Sequence, residues 1–414
     1  MGRFLFVVPP LTGHVNPTVP LGRELADRGH DVAWAGHTDV VAGLLPPSAT
    51  FLPVAEAIPP EVAEAVAFHT SKLTRGPAGF MASWQEFVLP VARQMVPGVH
   101  AAIDAFAPDV LVVDQQALAG AAVADLRRLT WATTATTSAE LVDPLAVVPK
   151  MGDWLRDRLR ELLVEAGLDA DRAAGFDPRF SPHLVLALTT AELVGPAGVF
   201  PDHYVLVGPL IGDRPDDTPF PWDWLDDAPA DPLVLVSLGT LNWRGGERFF
   251  AAARDAFRAM DARAVFVAPP DLVPDAPPNV LVTPRVPQLA LLPHVDAVVS
   301  HGGHNTVCEA LAKGLPLVIA PIRDDQPVIA DQVAAAGAGI RVKFGRITAD
   351  ALRHAIESVL TEPGYRAAAE RVRASFASAG GAPMAADRLE GLLAQAAAGG
   401  AGGRGPLRES LGGS

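Results

Sequence analysis

The stretch Arg285–Gln326, RVPQLALLPHVDAVVSHGGHNTVCEALAKGLPLVIAPIRDDQ, constrains the chain more than any other part of it. Ala297–Ser300 is a short apolar run that stops abruptly at His301-Gly302-Gly303. A helical pattern follows from about Thr306 to Lys313, and Gly314 closes it where a C′ residue belongs. A second apolar run, Leu315–Ala320, leads into Arg323-Asp324-Asp325-Gln326. Strand, glycine turn, helix and strand in this order predict an α/β fold. In open α/β sheets, ligands bind outside the carboxyl ends of the strands, where these polar residues collect.

The turn has the chemistry of an anion seat. Two glycines let the backbone approach a ligand, and the helix behind them presents free N–H groups and a partial positive charge. His301, Asn305 and Thr306 can add hydrogen bonds, so a diphosphate fits. Glu309, one turn further on, can accept from two ribose hydroxyls, and Asp325 with Gln326 can read the hydroxyls of a sugar. An ordinary βα turn followed by a solvated acidic pair would show much of the same local composition.

The whole string resembles the sugar-nucleotide motif of inverting GT-B glycosyltransferases, the family of plant and macrolide or other natural-product glycosyltransferases. That pattern runs W-x-P-Q, then H-x-G-x-N-S/T-x-x-E, and ends near D/E-Q. The counterparts are Arg285-Val286-Pro287-Gln288, His301 to Glu309, and Asp325-Gln326. The resemblance implies two Rossmann-like domains facing each other across a cleft. It also implies a donor site drawn from Gly13, Gly239, Thr240, Arg285, Val286, Gln288, His301, Gly303, Asn305, Thr306, Glu309, Asp325 and Gln326. Arg285 stands where the family commonly stacks a Trp on the nucleobase. A guanidinium plane also stacks on a base, which leaves UDP and TDP both open.

A second signature lies at the N-terminus. Arg3–Val8 reads as a buried strand, followed by a loop carrying His14, then Asn16 as a helix N-cap with Pro17 at the first helical position. Gly13-His14-Val15-Asn16-Pro17 resembles the family's G-H-x-x-P string, in which the histidine is the general base. Histidine is the side chain best suited to take a hydroxyl proton near neutral pH. Such a base needs a carboxylate on its other ring nitrogen. Asp114, ending the apolar run Val110–Val113, matches the family's partner aspartate; N-cap of the segment from Ala117 onward is its other available role. Asp109 opens that strand and reads as structural.

At 414 residues the chain can bury two cores. The predicted organisation is an acceptor-binding half over 1–212, a Pro/Asp/Trp-rich linker over 213–232, and a nucleotide-sugar half over 233–382. A closing helix over 383–397 and a Gly/Ala-rich disordered tail over 398–414 complete it. The run LVLVSLGT from Leu233 echoes Phe4–Gly13, and the family uses the Ser237–Thr240 turn to touch donor phosphates. Inserted helices of the first half line the acceptor pocket in this family. Phe68, Trp84 and Phe87 mark that region, although aromatics at helical spacing are more often core.

The net charge of −14 argues against nucleic acid and against docking on anionic lipid. No apolar window suits a transmembrane helix, and the N-terminus does not read as a signal peptide. The single cysteine, Cys308, forms no intrachain disulfide and suits a reducing cytoplasm. The one D-x-D string, Asp169-Ala170-Asp171, lies in a charged helical stretch, so no metal ligand set is expected.

The expected activity is therefore that of a metal-independent hexosyltransferase. It would use a UDP- or TDP-sugar as co-substrate, no other cofactor, and a hydrophobic small-molecule acceptor, and act as a monomer or homodimer. The competing readings are a non-catalytic nucleotide-sugar-binding partner of another transferase, and a transferase acting on a membrane-held lipid.

Overall fold

The computed structural model describes residues 1–72, 76–142, 145–146, 148–212, 216, 218–226, 231–239 and 245–402. The first half is a seven-stranded sheet. Its strands are β1 (Arg3–Val7), β2 (Asp31–His37), β3 (Thr50–Ala55), β4 (Val110–Asp114), β5 (Trp131–Ala135), β6 (Val185–Ala187) and β7 (Tyr204–Leu206). They lie in the order β3-β2-β1-β4-β5-β6-β7, and every pairing is parallel. The second half repeats the design with β8 (Leu233–Ser237), β9 (Arg263–Val267), β10 (Val280–Thr283), β11 (Ala297–Ser300), β12 (Leu317–Ile319) and β13 (Gly339–Arg341). Their order is β10-β9-β8-β11-β12-β13, again parallel throughout.

Parallel strands are covered by helices on both faces, so their residues are apolar without a polar alternate. Phe4, Phe6, Val110 and Val112 face one core layer, while Leu5, Val7, Leu111 and Val113 face the other. In the second sheet Leu235, Val298 and Leu317 face one layer and Val236, Val299 and Val318 the other. Each sheet also reverses its strand order once, between β1 and β4 and between β8 and β11. Such switch points open a crevice at the carboxyl ends of the two strands concerned. His14 follows β1, Asp114 ends β4, Gly239 follows β8 and His301 follows β11. Both sequence signatures therefore sit where this topology makes a binding site.

The halves meet in a buried seam. Ala139 and Leu193 of the first half belong to the apolar cluster of the second. Ser138 Oγ donates to Gln332 Oε1 at 2.6 Å, and the buried His304 ring reaches the Leu188 carbonyl at 3.1 Å. The last helix, Gly381–Gly402, returns to the first half, where Ala385, Ala386, Leu389 and Leu392 join Leu21 and Leu25. It is helical over 398–402, where Gly/Ala composition predicts disorder; small residues extend a helix already anchored by packing. Residues 403–414 lie outside the described residues. Among the described residues no helix is long and apolar enough to cross a membrane.

Candidate active site

His14 sits in a short helical turn, Thr12–Val15, rather than in an irregular loop. Asn16 is αR and makes no side-chain cap, and Pro17 precedes the helix Thr18–Asp27 instead of opening it. The predicted cap fails because the turn before it is already helical. That turn puts the imidazole over the end of β4. His14 Nδ1 lies 2.9 Å from Asp114 Oδ1, with the His14 side chain 15% exposed and Asp114 fully buried.

Asp114 is not a helix cap. Its Oδ1 accepts from the Gln116 N–H at 2.8 Å, and the helix begins later, at Leu118. Its Oδ2 accepts from the Thr136 hydroxyl at 2.6 Å. With Nδ1 held against a buried carboxylate, the lone pair belongs on His14 Nε2, which makes no hydrogen bond among the described residues. Burial alone lowers the His14 pKa. The charge and hydrogen bond of Asp114, helped by Asp325 and Glu140, outweigh it and leave the ring above 6.5.

Gly303 caps the donor-motif helix, which starts at His304, two residues before the periodic pattern suggests, and runs to Leu311. The free N–H groups of its first turn are thus those of His304, Asn305 and Thr306. Gly314, at φ +70, ends it: the Leu315 N–H reaches the Ala310 carbonyl and the Gly314 N–H that of Leu311, a Schellman closure. His301 is 9% exposed, and among the described residues its Nδ1 makes no hydrogen bond. Burial pushes its pKa down to about 4, so it is neutral.

Gly239 and Gly303 flank the His301 ring. A Cβ on either would fall 2.7 Å from a ring atom, and Gly239 also holds φ +75. The buried ring and the two glycines form a compact floor beside the helix N-terminus, a place where backbone N–H groups can receive an anion. Gln288 Nε2 donates to Glu309 Oε2 at 2.6 Å and steadies that buried carboxylate. Arg285 is exposed and Val286 half-buried at the rim. Thr240 lies outside the described residues.

Asn305 Nδ2 donates to the Gly13 carbonyl at 2.9 Å, which brings the two signatures together across the cleft. Asp325 comes from the second half and accepts from the Thr137 hydroxyl at 2.7 Å. Burial raises its carboxyl to about 6. The neighbouring Asp324 accepts from Ser83 Oγ at 2.6 Å. Gln326 is buried, and its Oε1 accepts from the Ile322 and Arg323 N–H groups at 2.9 and 3.1 Å, which leaves only its amide N–H groups to offer a sugar.

Of the acceptor-region aromatics, Trp84 is 5% exposed and packs with Val88, Leu118 and Leu155, so it is core. Phe87 is half-buried between two apolar clusters, and Phe68 is 57% exposed. Asp169 caps the helix Ala170–Ala174 by accepting from the Arg172 N–H, the structural use of the D-x-D string. Asp109 likewise accepts from the Arg3 N–H at 2.8 Å. Cys308 is buried beside His304, and burial raises its thiol pKa far above the usual range.

Sequence reasoning misses Thr136, Thr137 and Glu140. All three follow β5, whose threonine-rich WATTA does not read as a buried strand. Placing that strand beside β4 would have pointed to them.

Comparison with known proteins agrees with this geometry. The family described as "Erythromycin biosynthesis protein CIII-like, C-terminal domain" matches residues 255–392. The 4'-demethylrebeccamycin synthase of Lentzea aerocolonigenes is 32% identical, covering 94% of this chain and 99% of its own. The demethyllactenocin mycarosyltransferase of Streptomyces fradiae is 31% identical, covering 96% and 88%. The crystal structure of the glycotransferase of kitacinnamycin superposes with a TM-score of 0.75 at 27% identity, over 95% of this chain and 99% of that one. With both halves and both signatures accounted for, the chain belongs to the natural-product glycosyltransferases of GT-B fold.

Proposed function

We propose that this glycosyltransferase moves a sugar from a UDP- or TDP-sugar to a hydroxyl of a hydrophobic small molecule, with inversion at the anomeric carbon. In this reading residues 1–212 hold the acceptor, residues 233–382 hold the donor, and the enzyme works in the cytoplasm. The hydrogen bond from Asn305 to the Gly13 carbonyl carries the reading, because it sets the first turn of the anion-binding helix against the residue before His14. The relative named as a mycarosyltransferase supports sugar transfer in natural-product synthesis.

The chemistry follows from the dyad. The acceptor oxygen attacks the anomeric carbon while its proton passes to His14 Nε2, and Asp114 steadies the imidazolium. The bond from that carbon to the diphosphate oxygen breaks, and its electron pair leaves with the diphosphate. The N–H groups of His304 to Thr306 and the His301 ring meet the developing charge, so the reading calls for no metal. Glu309, braced by Gln288, takes the ribose hydroxyls, and Asp325 those of the donor sugar. A non-catalytic partner protein has no use for a buried carboxylate aligned on an imidazole.

The test is a panel of UDP- and TDP-sugars with a phenolic acceptor, following diphosphate release and product configuration against pH. His14 acts only when deprotonated, and its pKa is raised above 6.5. Asp325 must be ionised, and its carboxyl sits at about 6. Both effects have the same sign: the rate should climb with pH through a midpoint above 6.5 and then level off. A rate that falls with rising pH, or a product of retained configuration, contradicts the proposal.

A further inference from the structure

Thr136 and Thr137 are consecutive, nearly fully buried, and follow β5 directly. Their hydroxyls serve different halves of the molecule. Thr136 Oγ1 lies 2.7 Å from His14 Nδ1 and donates to Asp114 Oδ2 at 2.6 Å. Thr137 Oγ1 donates to Asp325 Oδ2 at 2.7 Å.

Proton counting assigns the roles. An ionised Asp114 only accepts, so the Thr136 proton goes to its Oδ2. The Thr136 oxygen is then free to accept from His14 Nδ1–H, which it shares with Asp114 Oδ1 at 2.9 Å. This arrangement selects the Nδ1–H tautomer and restrains the ring from two directions. One trans peptide, with Cα atoms about 3.8 Å apart, separates this grip from the one on Asp325. The segment itself is fixed to its neighbours: the Gln115 N–H reaches the Thr134 carbonyl, and the Leu188 N–H reaches that of Ala135. Threonine is also stiff at χ1, which makes it a better spacer than a longer hydroxyl-bearing side chain.

We propose that Thr136 and Thr137 are a pair of positioning residues that set the spacing between the catalytic base and the donor-sugar carboxylate. This rests on the reading of His14 as base and Asp325 as sugar ligand. Without the Thr136 hydroxyl, Asp114 Oδ2 loses its donor and the imidazole gains freedom to turn. Without the Thr137 hydroxyl, Asp325 loses its link to the first half.

The experiment compares the full-length wild type with Thr136→Val, Thr136→Ser and Thr137→Val, using histidine-labelled nitrogen NMR, carboxyl-carbon titration, UDP and TDP binding, and turnover with the sugar-nucleotide panel. Thr136→Val should loosen the His14 ring, broadening its Nδ1–H signal while Asp114 keeps the tautomer, and lower kcat by about 10- to 100-fold, with nucleotide affinity unchanged. Thr136→Ser should restore both. Thr137→Val should leave the His14 Nδ1–H signal as sharp as in the wild type and move the Asp325 midpoint up from about 6, because a donor to its ionised form is gone.

A wild-type His14 Nδ1–H signal and turnover in Thr136→Val, or an unmoved Asp325 in Thr137→Val, overturns the proposal. If Thr136→Val fails to fold, Thr136→Ala supplies the same readouts. Full activity in His14→Ala would instead remove the underlying reading, and the NMR outcomes would still report on the hydroxyl contacts.

Discussion

His14→Ala is expected to lower sugar transfer by about 10²-fold or more while UDP or TDP binds as it does to the unaltered protein. The two effects separate if, as proposed, the two halves divide the work. The imidazole belongs to the turn after β1, whereas the His301 ring, the glycine floor and the helix from His304 all belong to the second sheet. Removing the ring leaves the core intact, since the side chain is part-exposed at the cleft surface. Steady-state transfer together with calorimetric nucleotide binding checks it. Equal loss of binding and turnover would point to a collapsed cleft, and unchanged turnover would remove His14 from the chemistry.

Asp114→Asn should be at least as damaging, with turnover lowered by about 10³-fold or more. Asp114 is fully buried and serves three partners: His14 Nδ1, the Gln116 N–H and the Thr136 hydroxyl. An amide in its place supplies one oxygen for three donors and turns an NH₂ group toward one of them. If that group meets His14, the ring must present a lone pair at Nδ1, and Nε2 then carries the proton and is no longer a base. The charge effect has a definite sign as well. Asp114 holds the His14 pKa up against burial, so the variant's residual activity should show its midpoint shifted to lower pH. A residual profile with an unmoved midpoint would mean that the carboxylate does not act on the ring.

The legible parts of the sequence were those where local chemistry and topology coincide. Phe4–Val7, Val110–Asp114 and Leu233–Ser237 are apolar runs ending in polar turns, and each became a central strand. Within the string from Arg285 to Gln326, the strand, glycine turn and helix were legible because a glycine turn and a helix N-terminus are local properties of the backbone.

Other strands were hidden. β3 carries Pro53, tolerable at a sheet edge but a strand breaker in a sequence reading. Four of the five residues of β5 are threonine or alanine, and β13 is only Gly339–Arg341. With β5 unseen, nothing flagged Thr136 and Thr137, whose partners lie 122 and 188 residues away in sequence. Trp84 shows the opposite failure: an aromatic that suits a ligand wall is consumed by packing against Leu118 and Leu155, and only tertiary structure decides between the two.

The measurement that bears most directly on the shared cleft is a crystal structure of the full chain with UDP or TDP bound. The expected result has the diphosphate on the first-turn N–H groups of the helix from His304 and beside His301. The ribose should meet Glu309, and His14 should face the terminal phosphate from the other half. A nucleotide lodged away from Gly303 and Glu309, or one bound there with His14 turned away from it, would contradict the assignment of base and donor site to one cleft.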